Sequence, residues 1–443
     1  METHQQPLDI ILTPVKSALV DTDQNYLQVL VRLRAPKDTS IPRTPLSIAI
    51  VIDRSGSMRG DKLSAAKECT LEFIERMHDD DEVSIVTYDT AVEVILSLST
   101  VASVRQSLTR LLASFDSGGS TDLHRGWLQG AELLAPRTNA NRMCRVLLLS
   151  DGQANAGITS INTICKQVSQ LAQSGITTST VGLGLGFNEE LMTEMAKAGQ
   201  GAALYGDRAE DLAEPFEAEI SLLGNLAWRD VTLTIESHSR RWIMHNEYAK
   251  INPHSWRMPS IASGSEAWMA LSLAMDSANK AQERSSTGAA LKVVVEARGV
   301  DGALHQFHAN LPKLEKVSSV AYDNMVFDQL AMRRFSEIEA ADIQKEARTA
   351  VMQRDWVRVE GLLHNIEARA HDNPWLMNTL NVLRGLLARR DHEKMEKELM
   401  YSAHSMKSRL SEVDEGNYRS QAEEIEKMAF LRRKSDQGRR TNI

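Results

Sequence analysis

Leu46–Met58 reads LSIAIVIDRSGSM. Apart from Ser47, the run Leu46–Ile52 is apolar and rich in β-branched residues. Such a run predicts a strand buried on both faces, in the middle of a parallel sheet. Asp53, Ser55 and Ser57 follow at alternate positions in a loop that holds Gly56. One carboxylate and two hydroxyls at the carboxyl end of a central strand are three oxygen ligands. They suit a hard cation such as Mg2+, which takes octahedral oxygen coordination at roughly 2.0–2.1 Å.

Two later stretches extend the pattern. GGSTDL, Gly118–Leu123, supplies Thr121, and LLLSDGQANAG, Leu147–Gly157, supplies Asp151 directly after another apolar run. Together with Asp53-x-Ser55-x-Ser57, these stretches resemble the metal-ion-dependent adhesion site of von Willebrand factor type A domains. The resemblance covers Pro45 to Leu223. It implies that Ser55, Ser57 and Thr121 bind a cation directly or through water, while Asp53 and Asp151 complete the shell. Mg2+ is the expected ion, with Mn2+ or Ca2+ as substitutes.

The charge balance of such a site has a direct consequence. Two carboxylates at most neutralise a dication, and three hydroxyls add no charge. The ion stays electrophilic and lacks a sixth strong ligand, which an Asp or Glu of a partner protein can supply. A hydrolytic centre needs a positioned general base beside an activated water. Only His124 flanks any of the three motifs. The expected function is therefore metal-dependent protein–protein interaction, a scaffold and not an enzyme. The alternative is an adaptor for a separately encoded AAA+ ATPase in a metal-handling or stress-response system. In that case nucleotide chemistry belongs to the partner, because the chain has no GxxxxGK[ST].

With 443 residues, the chain has room for two or three domains. A net charge of −8 argues against nucleic acid or an acidic membrane as partner. No run approaches the ~20 apolar residues of a membrane helix. The opening METHQQPLDIILTPVKS has neither a basic n-region nor an A-x-A-like cleavage site, so a cytoplasmic location is expected. Cys69, Cys144 and Cys165 are widely spaced and form no CxxC, which fits reduced core thiols.

From Leu46 onward, strands alternate with helices, predicting a doubly wound, mostly parallel α/β sheet. Val83–Tyr88 and Val92–Leu98 flank a turn at Asp89-Thr90 and read as a hairpin with one antiparallel edge strand. VGLGLG, Val181–Gly186, is spaced GxGxG and lacks the acidic residue that a dinucleotide site needs, so it reads as a strand-to-helix turn. Helices are expected near 101–114, 122–135, 159–174, 188–198 and 207–223.

The flanking segments alternate with period two instead. Leu27, Val29, Val31 and Leu33 do so near the start. So do Val231, Leu233 and Ile235, then Met269, Leu271 and Leu273, then Leu291, Val293 and Val295. We read residues 1–44 as N-terminal sandwich strands and linker, 45–223 as the α/β domain, and 224–315 as the remaining β-sandwich. The α/β domain is thus inserted into the sandwich. This arrangement is similar to that of bacterial type A proteins related to inter-alpha-trypsin-inhibitor heavy chains. Trp228, Trp242, Trp256 and Trp268 lie in the sandwich, where core packing is the common use of such rings. Residues 316–432 read as a helical domain. Its expected helices are 320–338, 341–353, 355–370, 374–390, 393–412 and 417–431. Residues 433–443 form a basic, frayed tail.

Overall fold

The computed structural model describes residues 8–21, 24–37, 43–138, 142–151, 153–183, 188–206, 212–237, 241–276, 289–370, 373–408 and 410–412. The expected helix at 417–431 and the tail at 433–443 lie outside them, as does part of VGLGLG. The chain divides into two compact units, one taking Pro42–Asn225 and the other the segments on either side of it.

Three strands precede the inserted unit: β1 (Asp9–Pro14), β2 (Ala18–Val20) and β3 (Gln24–Arg34). The inserted unit then runs through β4 (Leu46–Asp53), α1 (Asp61–Glu75), β5 (Glu82–Tyr88) and β6 (Val92–Thr100). Next come α2 (Val101–Val104), α3 (Leu108–Leu112), α4 (Leu123–Leu134), β7 (Met143–Ser150) and α5 (Ile161–Gln173). It ends with β8 (Ile176–Leu183), α6 (Glu189–Ala198), β9 (Gln200–Gly206) and α7 (Ala213–Gly224).

Its six strands are ordered β6-β5-β4-β7-β8-β9. All neighbours are parallel except β6, which pairs antiparallel with β5 at the edge. Every residue of β4, β7 and β8 is buried, as expected of central strands covered on both faces. The helix expected at 101–114 is instead two short pieces, α2 and α3.

The chain reaches β5 on one side of β4 and, after the hairpin, crosses to β7 on the other. Strand order therefore reverses around β4, and the crevice outside the carboxyl ends of β4 and β7 is the position where such sheets bind ligands. Asp53 and Asp151 both lie there.

The flanking unit continues with β10 (Leu226–Ser237), β11 (Trp242–Met244), β12 (Ala249–Asn252), β13 (Ser255–Arg257) and β14 (Ile261–Ala262). It goes on with β15 (Ser265–Asp276), β16 (Ala289–Arg298), β17 (Leu304–Pro312) and β18 (Glu315–Val317). One antiparallel sheet is ordered β1-β3-β15-β11, and a second β12-β13-β10-β16-β17. Segments from both sides of the inserted unit thus share one sheet, with β3 paired to β15 from Arg34↔Glu266 to Gln24↔Asp276. Trp228, Trp256 and Trp268 are buried, and the Trp228 ring meets Phe307 edge-on at 5.0 Å.

The helices are α8 (Ser319–Asp323), α9 (Gln329–Met352), α10 (Trp356–Glu367), α11 (Pro374–Arg389) and α12 (His392–Ser408), followed by a short strand, β19 (Leu410–Glu412), on β15. Two expected helices, 320–338 and 341–353, are replaced by the short α8 and the single 24-residue α9. Asp328 decides the break, because its side chain accepts from Ala331 N at 2.8 Å and caps α9 there. Val320 and Phe327, within the helix expected at 320–338, are exposed. Ala331, Phe335 and Ile338 of α9 pack with Val15, Leu30, Trp268 and Ala270. The face of β3 that carries Leu30 is therefore covered there.

Candidate metal site

The site is built from the end of β4 outward. Asp53 is the last residue of the strand and is fully buried. Its Oδ1 accepts from Ser55 N at 2.8 Å, which turns the chain back over the strand end. One 3-10 turn, Gly56–Met58, then sets Ser57 beside Ser55, with their hydroxyl oxygens 3.1 Å apart. Ser55 is buried and Ser57 exposed, so this loop runs from the core to the surface.

The second loop is tied directly to the first. Gly118 N donates to Arg54 O at 2.8 Å and Gly56 N to Gly119 O at 3.1 Å. Gly119 has φ +53 and leaves no room for a Cβ, which would stand 2.5 Å from the Thr90 hydroxyl. Thr121 follows, buried, and its backbone is gripped by the third loop. Thr121 N donates to Asn155 Oδ1 at 2.8 Å, while Asn155 N and Ala156 N donate to Thr121 O at 3.2 and 3.1 Å. Asp122 then caps α4 through Arg125 N.

Asp151 leaves the end of β7, the parallel neighbour of β4. Ser150, one residue earlier, donates its hydroxyl to Asp53 Oδ2 at 2.6 Å, and Tyr88 donates to the same oxygen at 3.3 Å. Asp151 is fully buried. Its Oδ2 accepts from Lys62 Nζ at 3.1 Å, whereas its Oδ1 has no hydrogen-bond partner. Burial pushes the Asp53 carboxyl above its ordinary range, hydrogen bonds from Ser150 and Ser55 pull it back, and the nearby Asp151 charge adds to the rise. Burial likewise raises the Tyr88 hydroxyl well above its usual value, which keeps it a donor.

All five sequence-selected residues thus sit on three loops that are hydrogen-bonded to each other or follow paired strands. Asp53, Ser55 and Ser57 form one bonded chain, Asp151 joins through Ser150, and Thr121 joins through its backbone. Sequence reasoning missed Ser150, Tyr88, Lys62 and Asn155. Only Ser150 carried a local signal, as the residue before Asp151 in LLLSDG.

The donor set fits a hard divalent ion. It holds oxygen only, with two carboxylates, and one carboxylate oxygen is buried without a partner. Among the described residues, no three His, Cys, Asp or Glu side chains converge as a metal cluster. The His124 ring is instead hydrogen-bonded to Gln167 at 2.6 Å. Cys69, Cys144 and Cys165 are in no disulfide; the first two are buried and the third, expected in the core, is half-buried, with burial pushing its thiol up to about 11.

One consequence is a pH signature in chelator. A carboxyl whose folded-state pKa is raised binds more protons folded than unfolded. The stability it contributes is therefore present at low pH and is lost as pH rises from about 3.8 through the raised value. Asp53→Asn should consequently melt above the parent at pH 7 in EDTA, and level with it below that window. Equal melting curves at pH 7 would contradict the burial cost assigned to Asp53.

The fold has known counterparts. The family model for the von Willebrand factor type A domain matches residues 47–218. An uncharacterized protein of Synechocystis sp., sll0103, is 26% identical over 219 residues, covering 48% of this chain and 50% of that protein. Inter-alpha-trypsin inhibitor heavy chain H3 of Homo sapiens is 28% identical over 182 residues, covering 39% of this chain and 20% of its own. The matched part thus spans half or less of these curated relatives. Among solved structures, the von Willebrand factor type A protein from Catenulispora acidiphila aligns with TM-score 0.64 at 16% identity, over 90% of this chain and 91% of that one. The last match reaches across both units. No helix among the described residues is long and apolar enough to cross a membrane.

Proposed function

Residues 47–218 of this chain are a von Willebrand factor type A domain, and from that premise we propose that the protein is a divalent-metal-dependent interaction module, cytoplasmic and non-enzymatic. Asp53, Ser55, Ser57, Thr121 and Asp151 would hold the ion, Mg2+ with Mn2+ or Ca2+ as substitutes. Bound there, the ion supplies a Lewis-acidic position for an Asp or Glu carboxylate of a partner protein.

The observation that carries this reading is the pair of buried carboxylates at the ends of β4 and β7. Asp53 is braced by three hydrogen-bond donors, while Asp151 keeps one oxygen unpartnered in the interior. Burying an acceptor unmade costs about 1–3 kcal/mol, more for a charged one, so a cation that satisfies it recovers a real penalty. The protein's own part is positional. Hydrogen bonds between the loops fix where the hydroxyls sit, and the exposed Ser57 marks the side from which a partner arrives.

Mn2+ titration of the full chain by calorimetry, with and without EDTA, tests the reading. Binding should weaken at least tenfold in Ser55→Ala, the order of loss seen when a metal site's supporting groups are removed. Partner capture on the immobilised protein should depend on Mg2+ and be lost in EDTA. Capture that persists in EDTA, or Mn2+ affinity unchanged by Ser55→Ala, would overturn the proposal.

A further inference from the structure

Lys62 is not among the five oxygen donors, yet it touches one of them. It lies in the first turn of α1, its side chain is 28% exposed, and its ammonium is 3.1 Å from the fully buried Asp151 Oδ2. The other nearby cation is already occupied, since the Arg54 guanidinium pairs with Asp89 at 3.4 Å and Glu93 at 3.2 Å. Asp53 is held by Ser55, Ser150 and Tyr88, all uncharged donors. Lys62 is thus the single charge-compensating group in contact with the two site acids among the described residues.

We propose that Lys62 sets the electrical balance of this site, lowering its affinity for the metal while raising the affinity of the loaded site for a partner's carboxylate. The inference rests on the metal-dependent reading above. The charges decide the direction. Two carboxylates and one ammonium sum to −1, so the empty-handed site attracts a dication less than the −2 of the acids alone. With a dication present, the same groups sum to +1 instead of zero. A neutral loaded site draws an incoming carboxylate only through the ion's open position, whereas a net positive one also draws it by field. Lys62 is well placed for this, because its side chain is partly exposed while that of Asp151 is not. Its four-carbon stem lets the ammonium stay with Asp151 or swing toward an arriving acid. Lys62 is therefore a specificity-determining residue, trading metal affinity for selectivity toward acidic partners.

The two effects have opposite signs, which makes them separable from simple damage to the fold. Mn2+ affinity of the full chain is measured by electron paramagnetic resonance. Acetate affinity of the Mn2+-loaded chain is measured by the fall in water-proton relaxation as acetate displaces water from the bound ion. Lys62→Met, and independently Lys62→Gln, should bind Mn2+ about tenfold more tightly and acetate about tenfold more weakly than the parent. Lys62→Arg, which keeps the charge, should resemble the parent in both. Neutral variants that leave either constant within about twofold, or that move both in the same direction, overturn the inference while leaving the metal reading intact. A parent chain that binds no Mn2+ overturns the metal reading itself, and this inference with it.

Discussion

Replacing Arg145 by methionine is expected to destabilise the Pro42–Asn225 unit by about 3–5 kcal/mol, the usual cost of stranding one half of a buried ion pair. Arg145 lies on β7 with its side chain 7% exposed. Its Nε donates to Thr177 Oγ1 at 2.9 Å, and its terminal nitrogens reach Ser179 Oγ at 3.1 Å, Gln200 O at 3.3 Å and the Glu219 carboxylate of α7. Ser179 also donates to Glu219 at 2.7 Å. One guanidinium thus joins β7, β8, the start of β9 and α7. Without it, Glu219, 7% exposed, loses the Arg145 guanidinium. The double variant Arg145→Met/Glu219→Leu should recover most of the loss, because a well-packed apolar pair is often neutral or better. Hydrogen exchange of the β7 and β8 amides reads the effect, with opening expected to rise over a hundredfold in the single variant. A double variant no more protected than the single one would show that geometry, not stranded charge, is what Arg145 provides.

Glu337→Met should weaken the flanking unit by a similar amount, about 3–5 kcal/mol. Glu337 Oε2 accepts from Arg334 at 3.0 Å, and its Oε1 accepts from Asn373 Nδ2 at 2.9 Å. Arg334 is 1% exposed, with its guanidinium 5.3 Å from the centre of the Trp268 ring. Asn373 in turn caps α11 by accepting from Trp375 N at 3.0 Å and Leu376 N at 3.3 Å. One carboxylate therefore links the β15 face, α9 and the start of α11. Glu337→Gln keeps a hydrogen-bonding oxygen and should cost less than Glu337→Met. Exchange protection in α9 and α11 checks both, and equal losses would argue that the charge is irrelevant.

How much of this was legible in the sequence follows from what each residue responds to. LSIAIVID and MCRVLLLS announce central strands because apolar residues fill nearly every position on both faces, with Ser47 and Arg145 the exceptions inside the runs. Asp53, Ser55, Ser57 and Asp151 stood out because they follow strand ends, whereas Thr121, in the loop before α4, stood out through the GGSTDL resemblance. The α8–α9 break was not legible. Val320 and Phe327 continue an apolar stripe, while α8 closes at Asn324, the Asp328 backbone bonds Val15 and the Asp328 side chain caps α9. Lys62, Asn155 and Arg145 were invisible for another reason. Each acts through a partner 89, 34 or 74 positions away, and an isolated polar residue on a helix, loop or strand gives no sign of such a partner. The separation of the flanking chain into a sandwich and a helical part followed the change in periodicity, which cannot register that α9 lies on the sheet at Leu30 and Trp268.

Thr44 N donates to Gly224 O at 3.0 Å, so the two ends of the inserted unit meet at a single peptide hydrogen bond. To the outer sheet, everything between those residues behaves as a short stitch once it has formed. Before it has formed, β3 must find β15 across the whole intervening chain, and the entropy lost in closing that loop grows with its length. Formation of the interior piece first would leave a shorter loop to close before β3 pairs with β15. A ribosome delivers the segments in that same sequence, because β15 emerges only after β3 and the piece between them.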